Sequence, residues 1–235
     1  MSTKISSKET TGKKCVILGY PLSVDSPNPP AIPPMVISPL YRLTSGDAAN
    51  VSILRLANHT GTHVDAPAHV IEDGLKITDF KAEELLFDHP LVVDLPLGDG
   101  VVVEPRHLQH AVSAAGEADL LLIRFGYGHV RKTEPVRYSC KCPGFGTAAA
   151  EFILQNLPRL RALGMDVPSL SCIEHLEETM AAHNILLGGR GRRFLVIEDM
   201  NLEHDLVSLE RVWVAPWFVA EIDSAPCTVL GWVLS

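Results

Sequence analysis

The apolar positions of this chain fall into short dense runs rather than long stripes. Seven runs rich in Val, Ile and Leu, bounded by turn residues, predict β-strands: 15–20 (CVILGY), 50–57 (NVSILRLA), 91–97 (LVVDLPL), 118–126 (ADLLLIRFG), 193–200 (RFLVIEDM), 212–220 (VWVAPWFVA) and 227–234 (CTVLGWVL). Two segments have helical character. TAAAEFILQNL (147–157) starts at a Thr cap with Glu151 early, and Pro158 breaks it before one further turn ending at Gly164. CIEHLEETMAAHNILLGG (172–189) carries Leu176, Met180 and Ile185 near one face and stops at paired glycines. Many strands and few helices in one chain predict an α+β fold.

Three intervals interrupt this pattern. PLSVDSPNPPAIPP (21–34) contains six prolines, which lack the amide donor and fix φ, so it is neither helix nor central strand. The fragment before it is too short to be a domain, so an extended arm lying over the body is expected rather than a linker. YGHVRKTEPVRYSCKCPGF (127–145) is long, polar and mixed, and reads as a lid or binding loop. MSTKISSKETTGKK (1–14) reads as a flexible tail ahead of a single domain spanning 15–235.

Composition narrows the possibilities. A chain of 235 residues, 46% apolar, buries a sizeable core. A net charge of −8 without a long basic run points away from nucleic acid and anionic membranes as partners. No apolar run approaches the ~18 residues of a membrane span, and no apolar stretch follows the N-terminal lysines as in a secretory signal. Five scattered cysteines then suggest reduced thiols in a cytoplasm. Cys140 and Cys142 are separated by one residue and have no second pair, unlike a zinc knuckle.

The chemistry concentrates in NHTGTHVDAPAH (58–69), where His59, Gly61, His63, Asp65, Pro67 and His69 share one parity. In extended chain these side chains lie on one face, leaving Thr60, Thr62, Val64, Ala66 and Ala68 for a core. A straight strand would hold His59 and His63 roughly 13 Å apart, too far for one cation, so the chain must bend between them. Gly61 is where it can, because glycine tolerates positive φ. A helical zinc-protease arrangement would need Glu beside the first His, where Thr60 stands. His59, His63 and Asp65 are therefore candidate nitrogen and oxygen ligands for Zn²⁺ or Mn²⁺.

HTGTHVDAP followed by His69 resembles the H-x-G-T-H-x-D-x-P-x-H signature of the cyclase-like metal-dependent hydrolases, which include bacterial-type kynurenine formamidase and isatin hydrolase. AAHNILLGG (181–189) and VIEDMNL (196–202) resemble that family's late His and strand-end Glu. The resemblance implies a swivelling β/β/α fold with a curved mixed sheet or barrel-like core and outer helices. It implies one or two divalent ions held by His59, His63, Asp65, His183 and Glu198, with His69 as proton donor and acceptor. The His183–Glu198 spacing is a few residues longer than in the formamidases, which makes Asp199 a competing carboxylate. On its own terms, Glu198 ends an otherwise apolar strand and needs a partner or a cation.

What the resemblance implies is hydrolysis of an amide or formamide carbon–nitrogen bond of a small substrate, by a homo-oligomer (dimer or tetramer). Opening of a cyclic lactam or lactone, and metal-dependent binding without catalysis, are the alternatives. One departure bears on substrate. The formamidases carry an early Trp in a Pro/Gly-rich stretch, but the proline arm here has no aromatic residue, and Trp213, Trp217 and Trp232 are expected in the core.

Overall fold

The computed structural model describes residues 12–189 and 193–234. In chain order the elements are β1 (Lys13–Ile17), β2 (Val36–Tyr41), β3 (Val51–Arg55), β4 (His63–Asp65), β5 (Leu86–Phe87), β6 (Pro90–Asp94), β7 (Val102–Val103), α1 (Pro105–Ala114), β8 (Leu120–Arg124), α2 (Gly128–Thr133), α3 (Pro135–Lys141), β9 (Gly144–Phe145), α4 (Thr147–Asn156), β10 (Ala162–Met165), α5 (Leu176–Gly188), β11 (Leu195–Glu198), β12 (Leu209–Pro216) and β13 (Ser224–Leu234). One mixed sheet runs β5-β12-β13-β4-β11-β10-β8-β6, with β1 added on β13. Strands β12 and β6 approach each other, which nearly closes the sheet into a barrel. This is the α+β architecture expected from the sequence.

The strands alternate between two apolar cores. Leu120 and Leu122 of β8 face the barrel interior with Val64, Ala66, Leu195 and Ile197. Leu121 and Ile123 face the helices with Leu163, Val196, Ala182 and Leu186. Both faces of the central strands are thus buried, which is why β8 reads as an unbroken apolar run. Each such fully buried side chain contributes roughly 1.5–3 kcal/mol.

Every strand run and both helical segments of the sequence appear, with shifted ends. Strand β1 begins at Lys13, so the end of the expected 1–14 tail is sheet, while residues 1–11 lie outside the described ones. The turn expected to end at Gly164 is instead β10, paired in parallel with β8 and β11. Residues 127–145 are not an irregular loop but α2, α3 and β9. Their polar residues meet buried partners described below, which is why polarity misled there. Residues 21–34 contain no helix or strand, as the prolines dictate. The arm lies on the signature loop, for a Cβ on Gly61 would run into the Leu22 side chain. The next segment forms an antiparallel ribbon, β2 with β3, in which every strand residue is exposed.

Candidate metal centre

Strand parity builds the centre. In β4, Val64 faces the barrel core, so His63 and Asp65 face the helices. In β11, Ile197 faces the barrel core, so Glu198 also faces the helices. The antiparallel register sets Glu198 opposite His63 and Val196 opposite Asp65. Helix α5 covers that face through Thr179, Ala182, His183, Leu186 and Leu187, an i, i+3, i+4, i+7, i+8 stripe. His183 is the titratable member of this stripe. Leu176 and Met180, expected on the apolar face, are exposed, so the helix is rotated from the sequence reading.

The expected bend is present. Gly61 has φ 68, Thr60 is buried, and Pro67–His69 forms a short 3-10 turn after β4. Of the cluster, His63, Asp65, His183 and Glu198 are at most 3% exposed. The side chains of His59 and His69 are 17% and 24% exposed. The centre therefore has a sealed floor and an open rim.

His63 Nε2 lies 3.1 Å from Glu198 Oε2 and 3.6 Å from Asp65 Oδ1. His183 Nε2 lies 3.3 Å from Glu198 Oε1 and 4.0 Å from Asp65 Oδ2. His59 Nδ1 stands 3.1 Å from Asp65 Oδ1. These are ion-pair distances without hydrogen-bond alignment around Asp65. His63 Nε2 and both oxygens of Asp65 are buried with no hydrogen-bond partner.

The outer contacts are well made by contrast. The Gly61 carbonyl is 2.7 Å from His63 Nδ1, and Ser171 Oγ is 3.0 Å from His183 Nδ1. The Leu170 amide donates to Glu198 Oε1 at 2.6 Å. With both Nδ1 atoms occupied, each Nε2 is the nitrogen left to face the centre, the usual arrangement behind metal-ligating histidines.

Among the described residues three groups, His59–His63–Asp65, Asp65–His69–His183 and His59–His69–Asp223, present donor atoms within 4.8 Å of one another. Buried donors that lack partners, nitrogen and carboxylate oxygen in chemistry, and Nε2 atoms held by outer contacts fit a divalent cation. Glu198, not Asp199, is the carboxylate that meets the histidines.

Burial opposes charging of His59, yet Asp223 and Asp65 outweigh it and hold its pKa at about 10. Burial likewise opposes charging of His63, and the carboxylates of Asp65 and Glu198 raise it nonetheless. Burial would raise Glu198, but His183 and His63 pull it well below the ordinary carboxylate range.

Sequence reasoning missed Asp223. Its Oδ2 is 3.0 Å from His69 Nδ1 and 3.3 Å from His59 Nε2, and its Oδ1 accepts from Asn58 Nδ2 at 2.9 Å. Burial opposes ionisation of Asp223, but His59, His69 and Ser224 hold it far below its usual value, so it is a carboxylate. Asp223 lies 154 residues from His69 in a loop, with no local signal to pair them.

Asp199 turns the other way. It has φ 53 and accepts from Arg131 Nε at 2.7 Å, Arg131 Nη2 at 2.8 Å and Tyr138 Oη at 2.6 Å. Its carbonyl accepts from Thr62 Oγ1 at 2.6 Å, behind the signature loop. Arg131 stacks 3.8 Å over the Tyr20 ring. Arg131 and Tyr138 come from the segment read as a loop.

A cavity of about 440 Å³ opens beside the rim, lined in part by Asn58, Trp217 and Asp223. A larger one of about 850 Å³ lies near Lys13, His89 and Arg211 and includes none of the candidate ligands. Trp213 and Trp217 are each 42% exposed, which corrects their assignment to the core. Cys140 and Cys142 belong to no candidate metal group among the described residues. No helix among the described residues is long and apolar enough to cross a membrane.

The sequence model of the Cyclase family matches residues 16–171. Cyclase-like protein 1 of Arabidopsis thaliana is 27% identical over 190 residues, covering 78% of this chain and 70% of the relative. Isatin hydrolase A from Labrenzia aggregata superposes with a TM-score of 0.78 at 20% identity, covering 95% of each chain. A structure described as a potential metal-dependent hydrolase with cyclase activity superposes at 0.69 with 20% identity, covering 95% of this chain and 99% of the other.

Proposed function

The chain belongs to the cyclase family, and from that membership we propose that it is a metal-dependent hydrolase cleaving a carbon–nitrogen bond of a small substrate. The observation that carries this reading is a sealed floor of unpartnered donors next to an open rim with a carboxylate-held imidazole. A purely structural cation site would have no use for the second feature.

His59, His63, Asp65, His183 and Glu198 would hold one or two ions, Zn²⁺ or Mn²⁺. A divalent cation there would lower the pKa of water toward ~7 and polarise a carbonyl. The chain's own residues do the rest. Asp223 accepts from His69 Nδ1, which fixes the tautomer with Nε2 as the proton-accepting atom. His69 takes the proton of the attacking water and delivers it to the leaving nitrogen as the carbon–nitrogen bond breaks. Water adds to the carbonyl carbon, so the products are a carboxylic acid and an amine. Asp223 stabilises the imidazolium between the two transfers, the role of the third member of a triad.

Opening of a cyclic lactam is the second reading, favoured by the shared fold with isatin hydrolases. A homo-oligomer, dimer or tetramer, is supported by the exposed β2–β3 ribbon. Two strands with both faces in solvent are marginal alone, and Val36, Ile37, Leu40, Ile53 and Leu54 are all exposed. Unpaired cysteines support a reducing compartment.

The test is an assay of metal-loaded protein against N-formylanilides and isatin-like lactams, with His69→Asn and Asp223→Asn alongside. His69→Asn should keep metal and lose turnover by ~10²–10⁴-fold. Loss of metal with activity would make His69 a ligand, and unchanged turnover would make it a bystander.

A further inference from the structure

We propose that Trp217 sets the size of substrate the enzyme accepts, by standing as a removable wall between the cavity at the rim and a second, more apolar cavity behind it. The inference rests on the hydrolase reading for its substrate and on two observed cavities for its geometry.

The rim cavity, about 440 Å³, is lined by Leu56, Asn58, Ile222 and Asp223 together with Trp217 and Pro226. The Asn58–Asp223 hydrogen bond joins two of its lining residues, and the other oxygen of Asp223 holds His69 and His59. A molecule seated there is one carboxylate away from the proposed proton shuttle. The second cavity, about 650 Å³, is lined by Ile17, Tyr20, Leu22 and Cys227, again together with Trp217 and Pro226.

These two residues are the ones the cavities share. Trp217 follows β12 directly, and its amide donates to the Pro226 carbonyl at 2.9 Å, which pins its backbone against β13. The proline ring is fixed by its own backbone. The indole is held only by rotatable bonds and is 42% exposed. It is therefore the side chain whose size and rotamer decide whether the spaces are separate or continuous.

The second cavity also has a chemical character. Its Tyr20 hydroxyl is buried with no hydrogen-bond partner. Ile17, Leu22 and Cys227 give the cavity apolar lining, and Asn201, His204 and Thr228 give it polar groups. A substituent that suits this mostly apolar cavity is an aliphatic or aryl tail. With the indole in place, the protein takes compact substrates that end at Trp217. Without it, tails extend into the second cavity.

Straight-chain carboxylates from acetate to octanoate, stand-ins for the acid product, test this by calorimetry on metal-loaded wild type, Trp217→Ala and Trp217→Phe. Wild type should stop gaining affinity once the chain fills the rim cavity. Trp217→Ala should keep gaining roughly fourfold per methylene, the weight of a buried CH₂, over several further carbons. Trp217→Phe should stay close to wild type. Metal content and circular dichroism, matched across the three proteins, establish that the fold is kept. An identical chain-length dependence in wild type and Trp217→Ala overturns the inference, as does binding of no chain length by either. If the carboxylates behave as expected but no amide or lactam is hydrolysed, the hydrolase reading fails while the wall stands.

Discussion

Glu198 and Asp199 are neighbours in sequence, both buried, and they end in opposite electrostatic situations. Asp199 meets a guanidinium and a phenol hydroxyl with hydrogen-bond geometry on both oxygens. Glu198 opens onto a cluster where Asp65 and His63 keep buried polar atoms without partners. The first arrangement is closed, because every charge is answered within the chain. The second is open, because His63 Nε2 and both Asp65 oxygens find no hydrogen-bond partner within the chain. Folding tolerates an open cluster when something outside the chain completes it. The closed cluster is what holds the open one in shape, since Thr62 links Asp199 to the loop carrying His63.

The sharpest way to break this contrast is Asp65→Asn. Metal affinity should fall by more than the ~10–100-fold that loss of an outer contact costs. Wild type should gain ~4 kcal/mol at metal concentrations a thousandfold above Kd, and the variant should not. Chelator competition and denaturant melts with and without metal measure both. A variant that still binds metal like the parent would place the cation elsewhere.

Arg131→Met should do the reverse. It leaves Asp199 charged, buried and unpaired, at a cost of about 3–5 kcal/mol whether or not metal is present. A metal-free unfolding curve that matches wild type would show the Arg131–Asp199 pair to be dispensable.

The smallest expected effect concerns Asp166, whose carboxylate accepts from the amides of Phe125, Gly126 and Tyr127. Burial raises its pKa from 3.8 to about 6, and those amides only partly oppose it. A carboxyl that binds its proton more tightly when folded favours the fold at low pH. Its contribution is full below 3.8, declines as pH rises to about 6 and is level beyond. The decline is on the order of 3 kcal/mol. Asp223 shifts the opposite way and favours the fold at higher pH, so the difference between wild type and Asp166→Asn isolates the effect. That difference curve should slope between pH 4 and 6; a flat one would mean Asp166 ionises normally.

The sequence alone determined the strand runs with apolar side chains on both faces, because burial on both sides leaves no polar position to blur them. It determined the non-helical, non-strand course of 21–34, since proline acts through its own ring. The bend at Gly61 and the shared parity of His59, His63 and Asp65 were legible too, because both follow from local backbone geometry. Tertiary structure decided what depends on partners distant in sequence. The choice of Glu198 over Asp199 came from strand parity and from Arg131, in a segment whose charges suggested a solvated loop. The burial of His183 came from the rotation of α5, visible in the Thr179–Leu187 stripe but outweighed in the reading by Leu176 and Met180. Asp223 beside His69, and Trp217 between two cavities, required β13 to lie against β4. Side chains brought together by sheet register across more than a hundred residues leave no periodicity and no spacing in the chain, so only the folded register reveals them.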